Sequence, residues 1–257
     1  MNDDATTPTT ENAGAAPADP QQALRARLRA LWHELEPTPP HPCSYLPDQL
    51  AISRGFRAPT LHPEVYHELM DLGYRRSGDT FYAMDCATCR RCVPIRVAVE
   101  QFQPSRSQRR AFRRNLDLTV RVQTPQFTDA SYELFARYQR GQHHKPDVEP
   151  PESVRRWLYD AVVDSVEVVY QLGERTLAIS LLDVSSRSVS AVYHFFDPEF
   201  AARSLGVFSV LTEIEWTRRL GVPHYYLGYW VQGAKTMAYK ADYRPHEVLR
   251  DGRWQRG

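Results

Sequence analysis

No stretch of these 257 residues approaches the roughly 20 consecutive apolar residues that a membrane-spanning helix requires; the apolar runs that occur are broken by Arg, Asp or Gly. A soluble chain with no membrane partner is expected. Net charge is nearly absent as well. Lys and Arg number 32 against 31 Asp and Glu, a formal +1, so any contact with an acidic polymer must come from a local patch. The first twenty residues lack both a basic start and an apolar segment, which excludes a secretory signal. Rich in Thr, Ala, Pro and Asp, residues 1–20 have too little to bury and are expected to form a disordered tail. Cysteine is scarce, with four residues in all. A chain without a signal is expected in the cytoplasm, a reducing compartment where clustered cysteines bind metal or stay free. No internal repeat occurs.

What is present is ordinary globular composition, 42% hydrophobic and 25% charged, enough for one large domain or two small ones. Leu24, Leu28, Leu31, Trp32 and Leu35 recur at helical spacing across residues 21–36, and the Pro-rich run 37–42 stops that helix. A second helix is expected over 62–72, with Pro63 in its first turn and Gly73 as its stop. Strands are expected at 81–84, 95–99 and 118–122, and a short basic helix at 107–115. Helices at about 129–140 and 151–160 flank a polar loop. Three runs, 166–172, 177–183 and 188–196, separated by short turns, read as an antiparallel meander. An amphipathic helix over 207–220 then leads to a strand at 225–230, parallel to its predecessor because a helix intervenes. The fold class is α+β (mixed α/β), divided into an N-terminal part, 21–123, and a C-terminal part, 124–257.

Four groups of residues carry chemical potential. Cys86, Cys89 and Cys92 lie at C-x-x-C-x-x-C spacing, and Cys43 in a Pro-rich turn would supply a fourth thiolate; such a set suits zinc or an iron–sulfur cluster. Arg106, Arg109, Arg110, Arg113 and Arg114 crowd one short helix, with no acidic residue between Phe102 and Asp117, which favours a face for RNA phosphates. Ser204, Leu205, Gly206 and Val207 lie between a strand and a helix, where backbone amides and a helix N-terminus favour negative charge. Last, Tyr225, Tyr226, Tyr229, Trp230, Tyr239 and Tyr243 are interleaved with Lys235, Lys240 and Arg244. Their rings can pack as core or stack on an exposed base, and their hydroxyls can donate protons.

The phrases Pro42–Pro47, Gly73–Tyr82, Cys86–Arg96 and Pro104–Gln108, in that order, resemble the N-terminal domain of the arginyl-tRNA–protein transferases. Ser204–Val207, Tyr226–Trp230, Met237–Ala241 and Tyr243–Pro245 resemble the same family's C-terminal domain, which has a GNAT-like acyltransferase fold. The resemblance spans Pro42 to Arg253. It implies a GNAT-like core with a smaller N-terminal, cysteine-containing subdomain, and a bacterial branch that transfers leucine from leucyl-tRNA to proteins beginning with Asp or Glu, as in N-end-rule protein degradation.

The reaction so implied is attack of an N-terminal amine on an already activated ester, so no cofactor is required for the chemistry. An α-amino group titrates at ~7.7–8.0, and positioning can carry much of the catalysis. Tyr229, Tyr239 and Lys240 are the candidate catalytic residues, with backbone amides at 205–207 for the oxyanion. Arg75, Arg76 and Arg96 are candidates to grip the acceptor's carboxylate. Competing expectations are arginine as the transferred residue, an acyl-CoA-dependent GNAT enzyme, and a non-enzymatic RNA-binding module.

Overall fold

The computed structural model describes residues 19–257. The tail expected over 1–20 lies, as far as residue 18, outside the described residues, and Pro20 already opens the first helix, α1 (Pro20–Glu34), capped by the Asp19 carboxylate. A two-stranded ladder follows, β1 (His41–Pro42) with β2 (Leu50–Ala51). Next, β3 (Ser53–Arg57) and β4 (Arg75–Ser77) flank β5 (Thr80–Met84) in a small antiparallel sheet. Helix α2 (Pro63–Asp71) falls between β3 and β4, with Pro63 at its start and Gly73, at φ +92°, just past its end, where a side chain would be strained. Leu28 of α1, Tyr66, Leu69 and Met70 of α2, Phe81 of β5 and Tyr226 from the far half of the chain make one apolar cluster.

The large sheet has eight strands. These are β6 (Cys92–Ala98), β7 (Thr119–Gln123), β8 (Ser165–Leu172), β9 (Arg175–Val184), β10 (Ser188–Phe196), β11 (His224–Val231), β12 (His246–Arg250) and β13 (Arg253–Arg256), in the order β13-β12-β6-β11-β10-β9-β8-β7. The expected meander is present as β8-β9-β10, and β11 runs parallel to β10 as the intervening helix requires. The class is mixed α and β, built on a large mixed sheet. Strands β6 and β7 come from the part that ends at residue 123 and the other six from after it, and β6 lies between β12 and β11, so one sheet draws on both sides of the expected boundary.

Helix α3 (Arg106–Arg113) opens with a full capping box, Ser105 and Gln108 satisfying each other's backbone amides. Helix α4 (Asp129–His143) runs further into the polar loop than expected. The helix expected over 151–160 is a single α-turn, α5 (Pro151–Val154), that widens into a π-helical turn at Arg155–Tyr159. Helix α6 (Leu205–Arg219) packs Leu205, Phe208, Leu211 and Ile214 against Tyr225 and Leu227 of β11 and against Val97 of β6. Fully burying each such side chain contributes roughly 1.5–3 kcal/mol, which fixes α6 to the sheet. The hairpin β12-β13 turns on Asp251-Gly252, both at positive φ.

Candidate active site

Strands β10 and β11 part company. They pair only at Ser188, Val189 and Ser190 with His224, Tyr225 and Tyr226, and at that level each strand bulges, β10 between Ala191 and Tyr193 and β11 between Tyr226 and Gly228. A bulge kinks its strand and breaks the ladder, so two at one level open a wedge in the middle of the sheet. Glycine is required there. Gly228 has φ +89°, and a Cβ on it would stand 3.4 Å from Lys240 Nζ and 3.5 Å from Arg75 Cζ.

Arg75 reaches the wedge from β4, donating from Nη1 to Ser190 Oγ at 2.8 Å and from Nη2 to the Ala191 carbonyl at 2.5 Å. Tyr45, Tyr66, Tyr82 and Tyr229 stand close enough for its charge to act on their hydroxyls. Lys240 enters from the other side, on a short 3-10 helix (Ala238–Asp242) after β11. It is 8% exposed and donates to the Tyr229 carbonyl at 3.0 Å. Burial, reinforced by the Arg75 charge, lowers its pKa to about 7. Among the described residues neither Arg75 nor Lys240 has a carboxylate partner.

Arg76 and Arg96 do not fit the acceptor role expected of them. Adjacent strand residues point to opposite faces, so Arg76 turns away from Arg75 and binds Asp183 through Nε and Nη2, both at 2.7 Å, in a fully buried pair. Arg96 is held by Asp71 at 2.6 Å and Glu247 at 2.7 Å, and its guanidinium stacks 4.1 Å from the Trp254 ring. Guanidiniums already matched to internal carboxylates have no fork left for an external one. Tyr229 also departs from expectation: its hydroxyl donates to the Gly73 carbonyl at 2.8 Å and its ring is buried. What it gives the site is its backbone carbonyl.

The basic helix stands as the sequence suggests. Arg106, Arg109, Arg110, Arg113 and Arg114 are all exposed, while Gln108 and Ala111 face inward. Arg109 and Arg114 bond only to backbone carbonyls, of Pro104 and Ala202. Asn115 spans Ala111 and the Arg203 carbonyl, and Arg203 pairs with Asp117, so the end of α3 and the turn before α6 are locked together. Between them lies a cavity of about 480 Å³ whose lining includes Arg110, Arg114, Ser204, Val207, Tyr239 and Arg244. At the start of α6, Ser204 is left-handed and offers no side-chain cap, and the Leu205 and Gly206 amides reach no carbonyl. The Val207 amide is taken by the Ser204 carbonyl, so two of the three expected amides are left without a carbonyl partner. Tyr239 is 45% exposed at this cavity, its ring edge-on to Tyr243.

The four cysteines gather in one corner of the fold. All four are free thiols; Cys43 accepts from the Tyr45 amide, and Cys86 donates to the Ile52 carbonyl. Burial, with the other three thiols nearby, pushes Cys92 up to about 12. Among the described residues no three His, Cys, Asp or Glu side chains stand together as a metal-holding set. Nor is any described helix long and apolar enough to cross a membrane.

Ser190, Ala191 and Tyr45 leave no local signal in the sequence, since only tertiary packing brings them to Arg75, whereas Tyr82 is its strand partner. Gly228 did leave a signal: a lone glycine inside a strand pattern marks a bulge.

Comparison with known proteins matches the chain over most of its length. Residues 41–110 match the model of the arginine-tRNA-protein transferase N terminus, and residues 130–250 that of its C terminus. An aspartate/glutamate leucyltransferase of Marinobacter nauticus is 40% identical over 222 residues, covering 85% of this chain and 93% of that one. Another, from Chromohalobacter salexigens, is 42% identical over 225 residues, covering 85% and 91%. Among solved structures, FemX is similar at a TM-score of 0.47 and 11% identity, covering 87% of this chain and 74% of that one. With both family segments matched in order, and relatives near 40% identity aligned over most of their length, the chain belongs to the arginine-tRNA-protein transferase family.

Proposed function

We propose that this protein transfers leucine from leucyl-tRNA to the N-terminal amine of proteins that begin with Asp or Glu. The observation that carries the reading is the pair Arg75 and Lys240, two basic side chains at a wedge in the sheet with no carboxylate partner among the described residues. A desolvated guanidinium without a counter-ion is costly, and a ligand carboxylate relieves that cost. An acidic first residue supplies one. The curated relatives named aspartate/glutamate leucyltransferase support the same choice of donor and acceptor.

In this reading the α3 arginines hold the phosphates of the acceptor stem, and the half-exposed Tyr239 ring stacks on the terminal base. Lys240, one residue further along the same 3-10 helix, meets the acceptor. Arg75 fixes the carboxylate of the first residue, and the α-ammonium passes one proton to Lys240 Nζ. The freed amine attacks the ester carbonyl, whose oxygen is received by the Leu205 and Gly206 amides. As the C–N bond forms and the ester C–O bond breaks, Lys240 gives its proton to the ribose oxygen. The nitrogen's second proton leaves through Lys240 to water. No step passes through the cysteine corner.

The test is transfer of labelled leucine or arginine, each from its charged tRNA, to peptides beginning with Asp, Glu, Lys or Ala. Leucine appearing on the Asp and Glu peptides alone is expected. Arginine transfer would replace the donor, and transfer to neutral peptides at equal rate would remove the role given to Arg75. Incorporation from acyl-CoA in place of charged tRNA would return the protein to ordinary acyltransfer.

A further inference from the structure

We propose that the acceptor's acidic side chain does more than anchor the peptide: seated on Arg75, it draws the proton from the acceptor's own ammonium onto Lys240, so that preference for Asp and Glu is expressed in the rate of transfer as well as in binding. The inference rests on the reading above, and concerns how one charge controls another at the wedge.

The geometry makes the coupling direct. Arg75 and Lys240 face each other across Gly228, both within 3.5 Å of the point a Cβ there would occupy. Among the described residues, Lys240 faces the Tyr229 carbonyl from β11 and the Arg75 guanidinium from β4. Around Arg75 are the Ser190 hydroxyl, the Ala191 carbonyl and the phenols of Tyr45, Tyr66, Tyr82 and Tyr229, none of them charged near neutrality. Asp183, behind Tyr66, is already paired with Arg76, and among the described residues no carboxylate bonds either cation, so their repulsion is not offset until a ligand does so. Little water is available to screen it, because Lys240 and Ser190 are both buried.

The consequence follows from matching proton affinities. The productive state pairs a neutral amine with a protonated Lys240, which then serves as the acid for the ribose oxygen. Burial and the Arg75 charge hold Lys240 well below the ordinary lysine range, close to the ~7.7–8.0 of a free α-ammonium, so where the proton rests is sensitive to the charge beside it. A carboxylate on Arg75 cancels the charge that opposes Lys240. An opposite charge at such range moves a pKa by about one unit or more, which shifts the proton toward Lys240. An Asn peptide fits the same space but leaves the Arg75 charge uncancelled.

Two measurements decide this. In single-turnover assays at pH 7.5, saturated with peptide and leucyl-tRNA, the Asp peptide is expected to react about three- to tenfold faster than its Asn isostere. Equal saturated rates, with all discrimination in the half-saturating concentration, would overturn the proposal and leave leucine transfer to acidic N-termini standing. In the wild-type protein without tRNA, the Lys240 side-chain NMR signal, assigned with Lys240→Arg, is expected to titrate about one unit higher when the Asp peptide is bound, and not with the Asn peptide. An unmoved midpoint under a bound Asp peptide again sinks the coupling alone. Arg75→Gln closes the argument by removing the cation: Asp peptides should bind poorly, while the saturated rate with the Asn peptide should rise toward the wild-type Asp rate. A variant that still prefers acidic acceptors would instead strike down the acceptor site itself, and with it the function proposed above.

Discussion

The two faces of the eight-stranded sheet treat arginine in opposite ways. On the face covered by α1, α2 and the small sheet, Arg76 and Arg96 are buried and matched to Asp183, Asp71 and Glu247. On the face covered by α3 and α6, the five arginines of the basic helix are exposed and none has a carboxylate partner among the described residues. Desolvation accounts for the contrast. A guanidinium taken out of water must be given its counter-ion by the fold, whereas one left in water can wait for a mobile phosphate at little cost. Arg75 belongs to neither group. It is half-buried like the first and unmatched like the second, and that combination marks a place where the counter-ion is to be supplied from outside.

The contrast can be broken from the buried side first. Arg76→Met leaves Asp183 as an uncompensated buried charge and is expected to destabilise the protein by roughly 3–5 kcal/mol, read by urea denaturation. An effect near zero would mean that the pair is no structural element and would reopen Arg76 as a ligand. On the exposed side, Arg109, Arg110 and Arg113 changed together to Gln should leave stability within about 0.5 kcal/mol. The same change should reduce the slope of log affinity for charged tRNA against log salt by about two to three. An unchanged slope would remove α3 from the tRNA interface.

The wedge itself should answer to pH. A lysine whose affinity for protons is lower in the folded chain than in the unfolded one costs stability wherever the unfolded chain holds the proton. Wild-type stability therefore rises with pH from about 7 toward the ordinary lysine value of ~10.4. Lys240→Met is expected to add about 1–2 kcal/mol at pH 7 and less at pH 9, while abolishing the proton transfer. A gain that does not depend on pH would show that Lys240 is not the titrating group. Smallest of all, Tyr229→Phe removes one hydrogen bond to Gly73 and should cost about 1 kcal/mol, with the single-turnover rate unchanged. A large fall in rate would restore the phenol to catalysis.

Much of the fold was legible locally. The meander, the crossover to a parallel β11, the helix stop at Gly73 and the basic helix behind Ser105 all follow from periodicity and turn chemistry within a few residues. The hairpin at Asp251-Gly252 is legible too, because its dipeptide is a strong turn signal. Lys240 stands out by its tyrosine-rich surroundings, but nothing near it in sequence announces that its ammonium is buried.

The candidate site divides along the same line. Sequence by itself determined which residues carry charge, where helices and strands begin and end, and, through its motifs, the family. It did not determine which of the neighbours Arg75 and Arg76 is free. That depends on Asp183, 107 residues from Arg76, and on Ser190, 115 residues from Arg75. Local sequence sets backbone conformation because turns and caps act over a few residues, but a buried charge is settled by whatever the whole chain packs against it. Only the tertiary structure decides that.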